Sequence, residues 1–208
     1  VKGLGGFHLM TDMRNDGAMR ELRRRKRREE KPFALMLRGM TEAEACCALS
    51  APERAALESF RAPIVLAAAR PGSGVSVEVA PGNPRLGVML PYTPLHHLLL
   101  DGLDAGVVAT SGNLAEEPIC IDEREAVGRL GAIADLFLVH NRPIARPLDD
   151  SIVQLVEGEE MLLRCARGYA PLPLDLGIDL DPALAVGAHL KCAVAVTVGT
   201  RIMLGQHV

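Results

Sequence analysis

The sequence predicts an α/β fold in which helices flank a twisted mixed sheet. Short continuous apolar runs, typical of strands covered on both faces, alternate with segments that open on helix-capping residues. This alternation indicates one layered domain around a sheet. The predicted strands are 33–37, 63–67, 75–79, 106–110 and 136–139, followed by two strands within 151–165 that turn at Glu157-Gly158-Glu159.

Capping residues mark where the helices begin. Three capping boxes pair Thr41 with Glu44, Ser50 with Glu53, and Asp122 with Glu125. Thr93 followed by Pro94 supplies a cap and a first-turn proline for a helix over 95–100. A further helix, capped by Asn15 or Asp16, leads into a basic run.

Composition favours a cytoplasmic protein. The 208 residues are 49% apolar, and no apolar run approaches the roughly 18 residues that a membrane helix needs. The net charge of −3 argues against a general nucleic-acid binder. Five cysteines without a C-x-x-C pair argue against a disulfide framework or a zinc site, so we expect a reducing cytoplasm. The first residues carry no signal peptide and are typical of a chain interior, so we expect a truncation point there.

The pattern predicts one main domain and the beginning of a second. We assign 1–175 to the α/β domain and 176–182 to a linker, with two strands around Gly199 forming a hairpin over 183–208. Because a lone hairpin is not a domain, we expect it to be the start of a truncated one.

The basic run from Arg20 to Lys31 is the first candidate site. A helix with Ala18, Met19 and Leu22 on its apolar face places Arg25 and Lys26 next on that face. At least one cation should therefore point inward, where it needs an anion such as phosphate. The alternatives are a solvated charged face or a nucleic-acid patch.

Two further segments combine polar side chains with strand ends. Residues 109–113, which include Thr110, Ser111 and Asn113, follow a predicted buried strand, where ligands collect in open sheets, although the same residues suit an ordinary turn. Residues 142–151 contain Asp149 and Asp150, which could help hold Mg²⁺ with a nucleotide's phosphates or could only cap or turn the chain. His96 and His97 are neighbours on a helix and cannot chelate one metal together.

Taken in order, these segments resemble the hydrogenase maturation carbamoyltransferase (HypF) family. The similarity runs over essentially the whole chain and is carried by 3–9, 23–36, 80–100, 110–114 with Pro118, 149–153 and 167–171. Residues 185–191 with Gln206 and His207 resemble the opening hairpin of that family's carbamoyl-transfer domain. The resemblance implies a YrdC-like domain with a basic concave cleft.

It also implies a reaction and its partners. Carbamate released from carbamoyl phosphate would be activated with ATP and Mg²⁺ to carbamoyl adenylate, and the carbamoyl group would pass to the terminal cysteine of HypE, to become a cyanide ligand in nickel-iron hydrogenase. Zinc is expected only in a zinc-finger module outside this chain.

Ten residues are predicted to form the site, and the resemblance carries five of them: Lys26, Arg28, Lys31, Ser111 and Asn113. The expected catalytic residues are Lys26, Arg28, Ser111 and Asn113. The expected nucleotide- or substrate-binding residues are Lys2, Lys31, Thr110, Arg146, Ser151 and Arg167. No metal ligand is assigned beyond Asp149 and Asp150 as weak Mg²⁺ candidates. Three alternatives stay open: a stand-alone YrdC-type threonylcarbamoyl adenylate synthase, a double-stranded RNA-binding module, and an inert fragment.

Overall fold

The computed structural model describes residues 1–114, 117–188 and 192–207. Five α-helices lie in this part of the chain: α1 (Asp16–Lys26), α2 (Met40–Cys46), α3 (Ala51–Glu58), α4 (Pro94–Asp101) and α5 (Glu123–Leu130). The strands are β1 (His8–Asp12), β2 (Ala34–Met36), β3 (Cys47–Ala48), β4 (Ile64–Ala69), β5 (Arg85–Met89), β6 (Val107–Ser111), β7 (Ile152–Val156), β8 (Glu159–Arg164), β9 (Leu172–Asp175), β10 (Leu184–Val186), β11 (Ala193–Val198) and β12 (Arg201–His207). None of the described helices is long and apolar enough to cross a membrane.

The first eight strands form one mixed sheet. Its order is β1-β6-β2-β5-β4-β7-β8, and β3 pairs with β4 beside this path. The pairs β2/β5 and β4/β7 are parallel, whereas the others are antiparallel. The predicted α/β class with a twisted mixed sheet and flanking helices is confirmed.

Both faces of this sheet are buried, as the continuous apolar runs predict. On one face, Leu35 and Val108 belong to a core cluster with Met19 and Leu22 of α1. On the opposite face, Met36 packs in a second cluster that includes Leu100 of α4. The sheet therefore lies between helices on both sides, and the ends of β1 and β6 lie close to both α1 and α4.

Most predicted caps are present. Asn15, Ser50, Thr93 and Asp122 each accept a hydrogen bond from a backbone N–H in the first turn of the helix that follows. The Ser50–Glu53 capping box is reciprocal. The Thr41 cap is wrong, because α2 begins one residue before it, with Gly39 as N-cap.

Two predicted strands are wrong for a shared reason. Residues 77–79 form a single 3-10 turn capped by Ser76, and 136–139 form no strand. Val77 is 76% exposed and Leu136 is 88% exposed. An apolar or alternating run becomes a strand only where a neighbouring strand pairs with it, and the described residues offer these two none beyond isolated bonds.

The C-terminal region forms a second, antiparallel sheet in the order β10-β11-β12-β9. The prediction assigned residues 172–175 to the first domain, but β9 pairs with β12 from Leu172 opposite Leu204 to Asp175 opposite Arg201. The sheet boundary thus falls before Leu172, and four strands replace the single predicted hairpin. Pro173 fits an edge strand, where a missing N–H costs nothing. The part of the predicted hairpin at 189–191 lies outside the described residues.

The two sheets touch through the last described strand. His207 Nε2 lies 2.7 Å from Asp149 Oδ2, and Gln206 Nε2 donates to the carbonyl of Pro147 at 3.0 Å. Strand β12 therefore docks on the segment that leads into β7.

Close packing behind β8 generates a stability prediction. Gly168 has φ of +80°, and a Cβ on it would lie 2.3 Å from the carbonyl oxygen of Arg61. Because both the left-handed backbone and the close contact oppose a side chain, Gly168→Ala should lower the free energy of unfolding by about 2–4 kcal/mol. Urea denaturation measures this change.

Gly128→Ala in α5 is the matched control. A Cβ at this helical position would meet nothing within 4 Å, so alanine should stabilise by about 0.5–1 kcal/mol. Equal midpoints for the two variants would contradict the packing described around Gly168.

Candidate functional site

The end of helix α1 carries the predicted inward cation. Met19 and Leu22 are buried on the apolar stripe, and Lys26, one turn further, is 2% exposed. Arg25 instead turns outward to Glu21 and Asp135. Arg27 closes the helix with a left-handed backbone, at φ of 53°, which reverses the chain so that residues 28–31 fold back over the helix end.

Lys26 joins the basic run to the end of strand β6. Its ammonium group donates to the carbonyl oxygen of Ser111, to that of Asn113 at 2.6 Å, and to Asn113 Oδ1 at 3.0 Å. Ser111 Oγ donates to the same Oδ1 at 2.7 Å. The two segments singled out in the sequence, more than 80 residues apart, therefore meet in one place.

Arg28 lies beside this junction. Its guanidinium stacks over Phe33, 4.7 Å from the ring centroid, and donates to the carbonyls of Lys31 and Pro32. One of its nitrogens is 3.4 Å from Thr110 Oγ1. Arg28 thus reaches the same strand end as Lys26, where Thr110 is also buried.

Arg23 is the organising residue that sequence reasoning missed. Its guanidinium, like that of Arg28, stacks on Phe33. It also donates to five main-chain carbonyls, those of Glu78, Arg28, Glu29, Lys31 and Val79. A guanidinium offers five donors in a fixed plane, so it can hold a tight turn together through main-chain oxygens. Its spacing from Met19 and Lys26 on the helix was the signal that could have identified it.

The site gathers several positive charges in one place. Burial, reinforced by the charges of Arg28 and Lys31, lowers the pKa of Lys26 to about 7. Burial, with the charges of Arg23 and Arg164, lowers the pKa of Arg28 to about 10. Within the described part of the chain, Lys26 and Arg28 hydrogen-bond only to neutral oxygens. A group of cations held in this way favours an anionic ligand.

Four other predicted binding residues lie elsewhere or are engaged. Lys2 is buried, with its amine on the Glu123 carboxylate and the His140 carbonyl. Ser151 is buried, donating to the Arg167 carbonyl and accepting from Ala166 N–H. Arg167 is paired with Asp150 at 2.9 Å. Arg146 is exposed. The structure therefore brings together five of the predicted residues, with Lys31 in the adjoining turn: Lys26, Arg28, Thr110, Ser111 and Asn113. No described contact joins Lys2, Arg146, Ser151 or Arg167 to this group.

The paired aspartates do not fit a magnesium site. Asp150 binds Arg167 and lies 3.4 Å from His8 Nε2, and Asp149 holds His207. Three cationic or imidazole partners thus occupy the two carboxylates that a hard cation would need. No three His, Cys, Asp or Glu side chains in the described ranges group in a way that could hold a metal ion.

A buried histidine cluster escaped the sequence reasoning. His96 is fully buried and His97 exposed, as their spacing on α4 requires, and His96 faces His8 and Tyr92 under the sheet. The sequence signal is the pair of adjacent histidines on α4, and nothing in the sequence marks His8 as the partner of His96.

Comparison with known proteins matches this geometry to one family. Residues 1–166 match the Sua5/YciO/YrdC family profile, which is described as "Telomere recombination". The carbamoyltransferase HypF of Synechocystis sp. is 48% identical over all of this chain and 27% of its own length. A crystal structure of full-length HypF in the phosphate- and nucleotide-bound form superposes with a TM-score of 0.94 at 43% identity, covering 99% of this chain and 33% of that one.

A more distant neighbour shares only the fold. The structure of P. abyssi Sua5 complexed with L-threonine has a TM-score of 0.69 at 16% identity, covering 81% of this chain and 49% of that one. This chain spans about a quarter of the length of the curated HypF relatives that it matches. It belongs to the Sua5/YciO/YrdC family through residues 1–166, and over its whole length it is similar to HypF carbamoyltransferases.

Proposed function

We propose that this chain activates carbamate with ATP, forming carbamoyl adenylate for hydrogenase maturation. The observation that carries the proposal is the buried Lys26 ammonium group, which lies close to the charges of Arg28 and Lys31 and, among the residues that the structure describes, hydrogen-bonds only to neutral oxygens. Two similarities support the ligand class: the relatives named carbamoyltransferase, and the HypF structure whose description includes phosphate and nucleotide.

The reaction needs charge stabilisation more than a side-chain nucleophile. A carbamate oxygen forms a bond to the α-phosphorus of ATP, the bond from that phosphorus to the bridging oxygen breaks, and pyrophosphate leaves with the electron pair. Negative charge builds on the phosphate oxygens, and cations fixed in advance stabilise it. In this proposal Lys26 and Arg28 supply those cations, with Lys31 in the adjoining turn.

The neighbouring polar groups keep the cations in place. Asn113 Oδ1 accepts from both Lys26 and Ser111, so the side-chain amide fixes the ammonium group and the hydroxyl together. Thr110 adds a hydroxyl beside Arg28. Magnesium would enter with the ATP phosphates, which are its usual ligands in such sites.

The chain would serve a larger protein. We place it in the cytoplasm, receiving carbamate derived from carbamoyl phosphate, and its product would pass to a carbamoyl-transfer domain that modifies the terminal cysteine of HypE. The second sheet, β9–β12, follows the α/β domain in the sequence and would be the part of this chain closest to that carbamoyl-transfer domain.

Arg28 should contribute directly to ATP affinity. Arg28→Ala removes one charge-assisted contact, worth about 1.5–3 kcal/mol, so the Kd for MgATP should rise by roughly 10- to 150-fold in a calorimetric titration. Arg24→Ala is the matched control, because Arg24 lies on the same helix but is exposed and paired with Glu21.

Equal affinities in the wild type and Arg28→Ala would remove the basic run from the nucleotide site. Affinity for duplex RNA that is lost with rising salt, without ATP binding, would instead favour the RNA-binding alternative.

ATP binding should take up a proton at Lys26. The pKa near 7 in the free protein should rise when phosphate arrives, because the anion favours the charged amine. The contribution of Lys26 to affinity is therefore complete below pH 7 and declines as pH rises above it, by up to about tenfold per pH unit until the pKa of the complex is reached.

Titrations of wild type and Lys26→Met from pH 6 to 9 measure this contribution. The titration of ATP itself is common to both proteins, so the difference between the two curves belongs to Lys26. Parallel curves would contradict the proton uptake.

The chain alone should carry out only the first half of the reaction. We expect carbamate-dependent exchange of pyrophosphate into ATP, but no carbamoyl group on HypE, because nothing in the described second sheet offers a second nucleotide site. Mass spectrometry of HypE tests transfer, with a full-length HypF relative as the positive control. A carbamoyl mass on HypE that depends on this chain alone would contradict the division of labour, and absence of exchange would favour the inert-fragment alternative.

A further inference from the structure

Two histidines face each other in the interior, between the end of β1 and helix α4. His8 is 7% exposed and His96 is fully buried, with ring centroids 5.8 Å apart and planes inclined by 30°. Tyr92 stands edge-on to both rings, 4.6 Å from His96 and 6.5 Å from His8. These three side chains form what we term the histidine cluster.

Three ring nitrogens of the histidine cluster have no hydrogen-bond partner among the described residues. They are His8 Nδ1, His96 Nδ1 and His96 Nε2. Buried polar atoms are almost always paired, since an unpaired one loses its hydration without compensation. Because imidazole nitrogens hydrogen-bond in the plane of the ring, these unpaired nitrogens indicate a small polar ligand at the edges of the two rings.

The charges around the histidine cluster define that ligand further. Arg167 covers the Tyr92 ring at 3.5 Å and pairs with Asp150, which also lies 3.4 Å from His8 Nε2, so the adjacent charges compensate each other. Burial and the nearby charge of His8 lower the pKa of His96 to about 4, which leaves its ring neutral. A neutral imidazole offers one donor and one acceptor. The matching ligand group is uncharged and carries both an N–H donor and a carbonyl acceptor.

The histidine cluster is next to the phosphate-binding cations. His8 lies directly opposite Ser111 in the antiparallel pair of β1 and β6, so their side chains project from the same face of the sheet. The Ser111 hydroxyl, which shares that face with His8, donates to Asn113 Oδ1, and the same oxygen accepts from Lys26. A ligand with its phosphate at Lys26 would thus extend an attached small group toward His8 and His96.

We infer that His8 and His96 bind the carbamoyl group of the adenylate through its NH₂ and its carbonyl oxygen, and that they select against acyl groups without an N–H. The inference rests on the proposed function, which identifies the intermediate as an acyl adenylate. It names the residues that recognise the acyl group, His8 and His96, and the chemical feature that they recognise, the N–H of the carbamoyl group.

Two stable analogues of the intermediate test this selectivity in the wild-type chain. In 5′-O-(N-carbamoylsulfamoyl)adenosine the terminal group is NH₂, and in the N-acetyl analogue it is CH₃, while the rest of the two molecules is the same. We expect the carbamoyl analogue to bind at least about tenfold more tightly, the value of one hydrogen bond to a buried site.

Variants in α4 then locate the selectivity. His96→Leu should bind the two analogues equally, while MgATP affinity stays at the wild-type value, and His96→Gln, which keeps a donor and an acceptor, should retain the preference. His97→Leu is the control, because His97 is on the exposed face of the same helix.

The outcomes separate the two levels of the proposal. Tight and equal binding of both analogues by the wild type would overturn the carbamoyl subsite. The proposal of adenylate formation would still hold, and water molecules would then be the partners of the histidine nitrogens. An unchanged preference in His96→Leu would also overturn it. Failure of the wild type to bind MgATP and both analogues would overturn the proposed function itself.

Discussion

The buried ammonium group of Lys26 constrains both the packing and the chemistry of the α/β domain. A cation out of water needs several oxygens around it, and the end of β6 supplies three, from Ser111 and Asn113. These bonds dock the end of α1 on the sheet and place Arg28 over Phe33. The atoms that fix the helix are therefore the same atoms that prepare the candidate phosphate site.

The sequence predicted an inward cation at Arg25 or Lys26 because helix geometry is strict. Met19 and Leu22 define a buried stripe, and 3.6 residues per turn carry that stripe to Lys26 rather than to Arg24 or Arg27. The caps at Ser50 and Thr93 were equally readable, since each depends on a few consecutive residues. Patterns that depend only on neighbouring residues thus identified the fold class and the Lys26 side of the candidate site.

Features that depend on a distant partner were beyond the sequence. The run at 136–139 has the composition of a strand, but none of the described strands lies beside it. Leu172–Asp175 contains a proline, yet it becomes a strand because β12 offers a free edge. Likewise, no local pattern shows that His8 and His96 face each other across 88 residues. Pairing across the chain is decided by tertiary packing, which single-sequence patterns do not encode.

The consecutive residues Asp149 and Asp150 have a mechanical consequence. Asp149 is held by His207 from the second sheet, while Asp150 is held by Arg167 and His8 of the first. One peptide unit joins them, so partners from both sheets hold consecutive residues of the chain. The contact between the two sheets is therefore made one residue away from the carboxylate beside His8, so the docking of β12 and the surroundings of His8 are fixed at adjacent positions of the chain.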